Sequence, residues 1–166
     1  MISTFIIAAQ SLDGFISPKE HTTSLSWTSG ADKEFFIKKT KETGVVVMGR
    51  TTFETIGKAL PGRRTIVYTS RSLNIEGVET TSESPAVLLT RLEQEGHESV
   101  AICGGSSIYS LFLESGLVQK LYITLEPIVF GEGIPLFSKL HMKKLELISS
   151  TPLSQNTLLL EYQIII

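Results

Sequence analysis

Cysteine is nearly absent from this chain, which carries one, Cys103, among 166 residues. A lone thiol cannot close an internal disulfide and has no cysteine partner at metal-ligand spacing. A disulfide scaffold and a cysteine-bound structural zinc are therefore excluded, and a reducing, cytoplasmic setting is expected. His21, His97 and His141 are scattered, and no metal site is expected. An excess of one charge is also missing, since 15 Lys+Arg stand against 17 Asp+Glu for a formal −2. Neither nucleic acid nor an anionic membrane finds a general basic face here, although a local basic pocket stays open. Long hydrophobic runs are wanting too. The opening from Met1 to Ala9 is apolar, yet it lacks a basic start and is too short to cross a bilayer, so it reads as a buried first strand. Repeats, low-complexity tracts and linkers are not found.

What is present is ordinary globular composition, 42% apolar and 19% charged, at a length suited to one domain over residues 1–166 with a core of its own. Short Val- and Ile-rich runs alternate with helical patterns, the signature of an α/β sheet. The strand candidates are Ile2 to Ala9, Val45 to Met48, Thr65 to Tyr68, Ser99 to Cys103 and Lys120 to Leu125, apolar throughout as strands covered on both faces are. Leu145 to Thr151 and Thr157 to Ile164, on either side of Pro152 to Asn156, predict a closing antiparallel hairpin. Ser29-Gly30-Ala31-Asp32 fits a capping box, and Ser84-Pro85 sets a cap before a first-turn proline. Gly44 and Gly96 would end those helices. A third helix is predicted from about Thr51, and a fourth after Gly104-Gly105 with Gly116 as its end. Gln10 to Gly30 is too long for an ordinary connection and is a candidate functional loop.

Chemistry is expected where strands hand over to helices. Met48-Gly49-Arg50-Thr51-Thr52 brings backbone N–H groups, hydroxyls and a guanidinium to a helix start that a phosphate could use. Ile102-Cys103-Gly104-Gly105-Ser106-Ser107 repeats the arrangement with two glycines that permit close approach. Two such junctions favour a dinucleotide, but their spacing is not that of the Rossmann fingerprint. Thr69-Ser70-Arg71 ends another strand, where Arg71 is either a solvated loop residue or a partner for a 2′-phosphate. Asp32 is open to two readings as well. It either closes the cap on Ser29, or serves as a partly desolvated carboxylate of raised pKa.

Taken in order, Met48 to Gly57, Leu60-Pro61-Gly62-Arg63-Arg64 and Gly104-Gly105 with Tyr109 behind resemble the dihydrofolate reductase family. The similarity runs from Met1 to about Thr124 and includes Trp27 with Asp32 five residues later. The resemblance implies a three-layer α/β/α fold with a mostly parallel central sheet and an antiparallel C-terminal strand. It also implies NADPH-dependent hydride transfer to dihydrofolate, with tetrahydrofolate as product. Asp32 and Thr124 would hold the pyrimidine edge of the pterin beside Trp27, with Ile7, Ala8 and Ala9 as the first-strand contact, Phe36 on the rings and Arg63 on the substrate's carboxylate. On the cofactor side, Ala9 and Ile16 would face the nicotinamide. Gly49, Arg50, Thr51 and Thr52 would take the phosphates, Thr69, Ser70 and Arg71 the adenosine phosphate. Cys103, Gly104, Gly105, Ser106, Ser107, Ile108 and Tyr109 would line the nicotinamide half. A cis peptide is implied at Gly104-Gly105, and methotrexate and trimethoprim are implied as inhibitors. The expected assembly is a monomer or a homodimer.

Two segments look more like the riboflavin-pathway reductase domain, which shares the fold and NADPH. They are Ser11-Leu12-Asp13-Gly14-Phe15-Ile16 and Gly131 to Phe137. Pro18, Lys19, Glu20 and His21 also lengthen the loop before Trp27, and Leu25-Ser26 departs from the folate pattern. A pyrimidine ribosyl precursor is accordingly the alternative substrate.

Overall fold

The computed structural model describes residues 1–19 and 24–165. In chain order the elements are β1 (Ser3–Gln10), β2 (Phe15–Pro18), a 3-10 turn (Ser24–Ser26), α1 (Gly30–Thr43), β3 (Val45–Gly49) and α2 (Arg50–Ile56). There follow β4 (Arg64–Tyr68), β5 (Val78–Thr81), α3 (Pro85–Gln94), β6 (Ser99–Ile102), α4 (Ser106–Glu114), β7 (Lys120–Leu125), β8 (Gly133–Pro135), β9 (Lys144–Pro152) and β10 (Leu158–Ile165). The main sheet runs β5-β4-β3-β6-β1-β7-β10-β9. The first six of these are parallel, while β10 is antiparallel to both β7 and β9.

The continuous apolarity of Val45 to Met48 has the cause assigned to it, because this strand is buried on both faces. Val45 and Val47 pack with Leu88, Leu89 and Leu92 of α3 and Phe112 and Leu113 of α4. Val46 and Met48 pack with Phe53 of α2 and with Phe35 and Phe36 of α1. Successive strand residues point to opposite faces, so one strand serves both cores and the three-layer α/β/α arrangement follows.

The helix signals act as read at their starts. The Ser29 side chain accepts from the Asp32 N–H, the Ser84 side chain accepts from the Val87 N–H, and Gly44 closes α1 at φ 81°. Gly96 and Gly116 fall one residue beyond the caps, which are Glu95 and Ser115.

Several expectations need correction. The first strand lies one residue later than Ile2 to Ala9, and the sixth ends at Ile102, leaving Cys103 in the turn. The C-terminal strand is antiparallel as expected, but it lies inside the sheet, between β7 and β9, with β9 as the edge. β5 was not expected, because Val-Glu-Thr-Thr carries too little apolar signal. Its pairing with β4 and the ion pairs of Glu79 to Arg64 and Arg91, both 2.7 Å, decide it. Nor is Gln10 to Gly30 without structure, since β2 pairs antiparallel with β8 in a separate ribbon. Asp13 ties the two segments together by accepting from Ser11 Oγ (2.6 Å), Phe130 N (3.2 Å) and Gly131 N (2.8 Å). These bonds, the one from Ser11 foremost, hold the Asp13 carboxyl below its ordinary value. Glu20 and His21 lie outside the described residues.

Candidate active site

The strand ends of a parallel sheet are where α/β folds hold ligands, and the sequence-predicted residues gather there. Ala9 pairs with Thr124 across β1 and β7, placing the first-strand contact beside the hydroxyl residue. Ile7 and Ala8 are buried, and the Ile7 carbonyl accepts from Tyr109 Oη at 2.8 Å, which ties α4 to β1. The two glycine junctions also meet. Gly49 N donates to Gly104 O at 2.7 Å, and Cys103 N donates to Val47 O at 2.8 Å.

Steric fit accounts for the glycines. A Cβ at Gly49 would stand 2.9 Å from Ile108 Cγ1, one at Gly104 3.1 Å from Tyr109 Oη, and one at Gly105 3.2 Å from Thr52 Oγ1. Gly104 also has φ 113°, a conformation that L side chains rarely adopt. The Gly104-Gly105 peptide is cis. Beyond it, the hydroxyl of Ser106 at the start of α4 is buried with no hydrogen-bond partner among the described residues, and Ser107 is exposed. Backbone donors and a free hydroxyl at a helix start suit an anionic group such as a dinucleotide's phosphates.

Asp32 sits in the first turn of α1, half-buried. Its carboxyl is pushed up to about 6, first by burial and further by the negative charge of Glu126. A hydrogen bond with the Thr124 side chain and the charge of Lys33 work the other way. Asp32 completes only half of a capping box. Its N–H donates to Ser29 Oγ (3.2 Å), but the Ser29 N–H goes to Glu126 Oε1 (3.0 Å). The purely capping reading of the Asp32 carboxylate therefore fails.

Other predicted residues fall around this centre. Phe36 and Phe35 pack against Phe5, Ile7 and Met48, and Ile16 of β2 packs on the opposite core. Arg63 is half-buried, donating from Nη1 to Thr40 Oγ1 (2.9 Å) and from Nε to Pro61 O (3.1 Å). Among the described residues it pairs with no carboxylate, unlike Arg64 beside it, which binds Glu79 and Glu95. Trp27 stands edge-on to Phe130, ring centroids 5.1 Å apart, and its buried Nε1 has no partner among the described residues.

The phosphate cluster is brought together in part. Thr69 and Ser70 line a cleft of about 490 Å³ with Tyr68, Thr81, Ser82, Glu83, Ser84, Pro85 and Leu111, whereas Arg71 is exposed and not in that lining. Arg50 opens α2 but is turned onto Glu54 at 2.7 Å, and Thr51 is exposed. Cys103 is buried, and burial pushes its thiol up to about 12, which leaves it unreactive. Among the described residues no group of three or more His, Cys, Asp or Glu is arranged to hold a metal ion, and no helix is long and apolar enough to cross a membrane.

Sequence reasoning missed Glu126, Tyr68 and Glu83. For Glu126 the signal was there, since an acid two residues beyond Thr124 in an extended chain shares its face. Tyr68 and Glu83 enter the cleft only through the β4–β5 pairing, which the sequence does not announce.

The dihydrofolate reductase family model matches residues 2–162. The chain is 28% identical to the uncharacterized protein YwjB of Bacillus subtilis, over 82% of this chain and 83% of that one. It is 35% identical to a dihydrofolate reductase of Buchnera aphidicola, over 76% and 73% of the two chains. Against the dihydrofolate reductase of Staphylococcus aureus the match is shorter, 38% identical over 53% of this chain and 51% of that one. Among solved structures, a protein of Shewanella sp. PV-4 named for riboflavin biosynthesis superposes with TM-score 0.85 at 21% identity, covering 99% and 100% of the two chains, a likeness of fold. The dihydrofolate reductase of Enterococcus faecalis, solved with NADP(H), superposes with TM-score 0.76 at 25% identity over 98% and 96%.

Proposed function

Because this chain belongs to the dihydrofolate reductase family, a family of reductases, we propose that it reduces 7,8-dihydrofolate to 5,6,7,8-tetrahydrofolate with NADPH. The observation that carries the reading is Asp32, a half-buried carboxylate released from capping, hydrogen-bonded to Thr124 and pushed up to about 6. Such a group can accept from the donor edge of a pterin and still hold a proton near neutrality.

NADPH, when bound, supplies the hydride. The chain's part is to hold and orient. Gly49, Thr52, Gly104, Gly105, Ser106 and Ser107 would hold its phosphates and nicotinamide half, with Thr69 and Ser70 at the adenosine end. Asp32 and Thr124 fix the pterin edge and favour protonation at N5, Phe36 packs on the rings, and Arg63, which lacks a carboxylate partner among the described residues, meets the substrate's own.

The test is NADPH oxidation by purified protein with and without dihydrofolate. Oxidation should require the pterin, and NADPH should bind at least about ten-fold more tightly than NADH through charge-assisted bonds from Arg50 and Arg71. No pterin-dependent oxidation would overturn the reading.

A second reading has its own support. The two segments that resemble the riboflavin-pathway domain pair with each other as the β2–β8 ribbon. On that reading the substrate is a pyrimidine ribosyl precursor. Methotrexate separates the two, because a diaminopteridine needs the Asp32 carboxylate and should bind tightly only if the folate reading holds.

A further inference from the structure

Glu126 follows β7 directly and is 2% exposed. Its Oε1 accepts from both Ser29 N (3.0 Å) and Ser29 Oγ (2.8 Å), and its Oε2 accepts from Thr157 Oγ1 (3.3 Å). Its own N–H donates to Gln10 O at 2.9 Å. The carboxylate thus joins the start of α1 to the residue before β10, while the backbone N–H of the same residue ties it to the end of β1. None of the ion pairs among the described residues includes it. A buried carboxylate without a cation is costly unless donors surround it, and here three donors and the N-terminus of a 14-residue helix do so.

The geometry then constrains Asp32. Thr124 and Glu126, two apart, share one face of an extended chain, while Ser29 and Asp32, three apart, share one face at the helix start. Thr124 meets Asp32, and Glu126 meets Ser29. With its proton directed to Glu126, the Ser29 hydroxyl can only accept from the Asp32 N–H. A helix needing a cap alone would be served by the acid already in its first turn. This chain instead brings an acid from 97 residues away.

We propose that Glu126 is a positioning residue for Asp32, taking over the acceptor role at the start of α1, anchoring that turn to β7 and β10, and leaving the Asp32 carboxylate free for a ligand. The proposal rests on the reading of Asp32 as the ligand-binding carboxylate. The charged and titratable groups facing Asp32 are Lys33 on its own helix, Glu126 beyond β7 and the buried Tyr109 of α4. Of these, Glu126 is the one whose charge opposes ionisation of Asp32.

The test is a carbon-13 carboxyl NMR titration of Asp32 in the ligand-free protein, which needs no substrate. Glu126→Gln keeps the size and an acceptor for Ser29 but removes the charge, so Asp32 should titrate roughly one unit lower than in the unsubstituted protein. Glu126→Ala removes the anchor as well, and amide exchange at Asp32 should accelerate about ten-fold or more. Thr157→Val is the mildest change, leaving the charge in place, and Asp32 should titrate there as in the unsubstituted protein. An Asp32 amide exchange that does not accelerate in folded Glu126→Ala, or an Asp32 titration that moves as far in Thr157→Val as in Glu126→Gln, overturns the proposal. If the titration moves as expected while dihydrofolate is not turned over, the folate reading falls and the positioning role stands.

Discussion

At the scale of single residues, Asp32 decides most, and its raised pKa has a consequence for stability as well as for chemistry. The unfolded carboxyl takes the ordinary 3.8 and the folded one about 6. Between those values the folded state holds more protons than the unfolded one, so stability falls as pH rises through this window and stays lowered above it. Asp32→Asn removes the ionisable group while keeping a cap-competent shape and an acceptor for Thr124. The variant should therefore be more stable than the parent by roughly 2 kcal/mol at pH 8, after allowing for partial screening, and by much less at pH 4. It should also reduce dihydrofolate at least ~10²-fold more slowly while still binding NADPH. Urea denaturation at the two pH values, beside turnover, checks both halves. A stability gain that does not depend on pH would show that the Asp32 carboxyl is unshifted. Cys103 is the opposite case, a residue at the site whose chemistry is suppressed. Buried and pushed up to about 12, its thiol should resist alkylation in the native protein and react only on unfolding. Cys103→Ala should retain most turnover, and loss of turnover in a folded, cofactor-binding variant would contradict this.

At the scale of elements, the two glycine junctions and the C-terminal hairpin matter most. The β3–α2 and β6–α4 turns are in direct contact through Gly49 N and Gly104 O, so a change in one is felt by the other. Gly104→Ala adds a Cβ 3.1 Å from Tyr109 Oη at φ 113°. It should lower stability by about 1–3 kcal/mol and weaken NADPH binding, because Tyr109 must shift from the Ile7 carbonyl. Calorimetry with and without cofactor reads both effects. β10 is an interior strand, between β7 and β9. Removing Thr157 to Ile166 would uncover β7, leave β9 without its partner and take away Glu126's bond to Thr157. Such a truncation should show no cooperative melt, and a soluble one that melts sharply would make the tail peripheral. β9 is the edge and exposes Leu145, Leu147 and Ile148.

At the scale of the whole molecule, the sheet order brings Asp32, Thr124 and Glu126 from α1 and the end of β7 to one place. Their coupling predicts a rate profile. Hydride transfer to the pterin should slow as pH rises from about 6, because protonated Asp32 becomes scarce. Single-turnover rates between pH 5 and 9 measure this, and a flat profile would remove Asp32 from proton handling. Much of the architecture was legible in the sequence because its causes are local. Continuous Val and Ile runs mark strands covered on both faces, Ser29 and Ser84 satisfy orphan N–H groups of helix starts, and the glycines stand where backbones close on each other. The candidate site residues Asp32, Thr124, Arg63, Gly49 and Gly104 were nameable through a family pattern in the same linear order. What the tertiary structure alone decided has a non-local cause. β2, β8 and β5 carry little apolar signal; β2 and β8 exist through pairing with each other across the chain, and β5 through its parallel pairing with β4 and the ion pairs of Glu79 to Arg64 and Arg91. Whether the Asp32 carboxylate is a cap or a free acid could not be read from Ser29-Gly30-Ala31-Asp32. The answer depends on Glu126, 97 residues beyond Ser29 along the chain and 3.0 Å from its N–H in space.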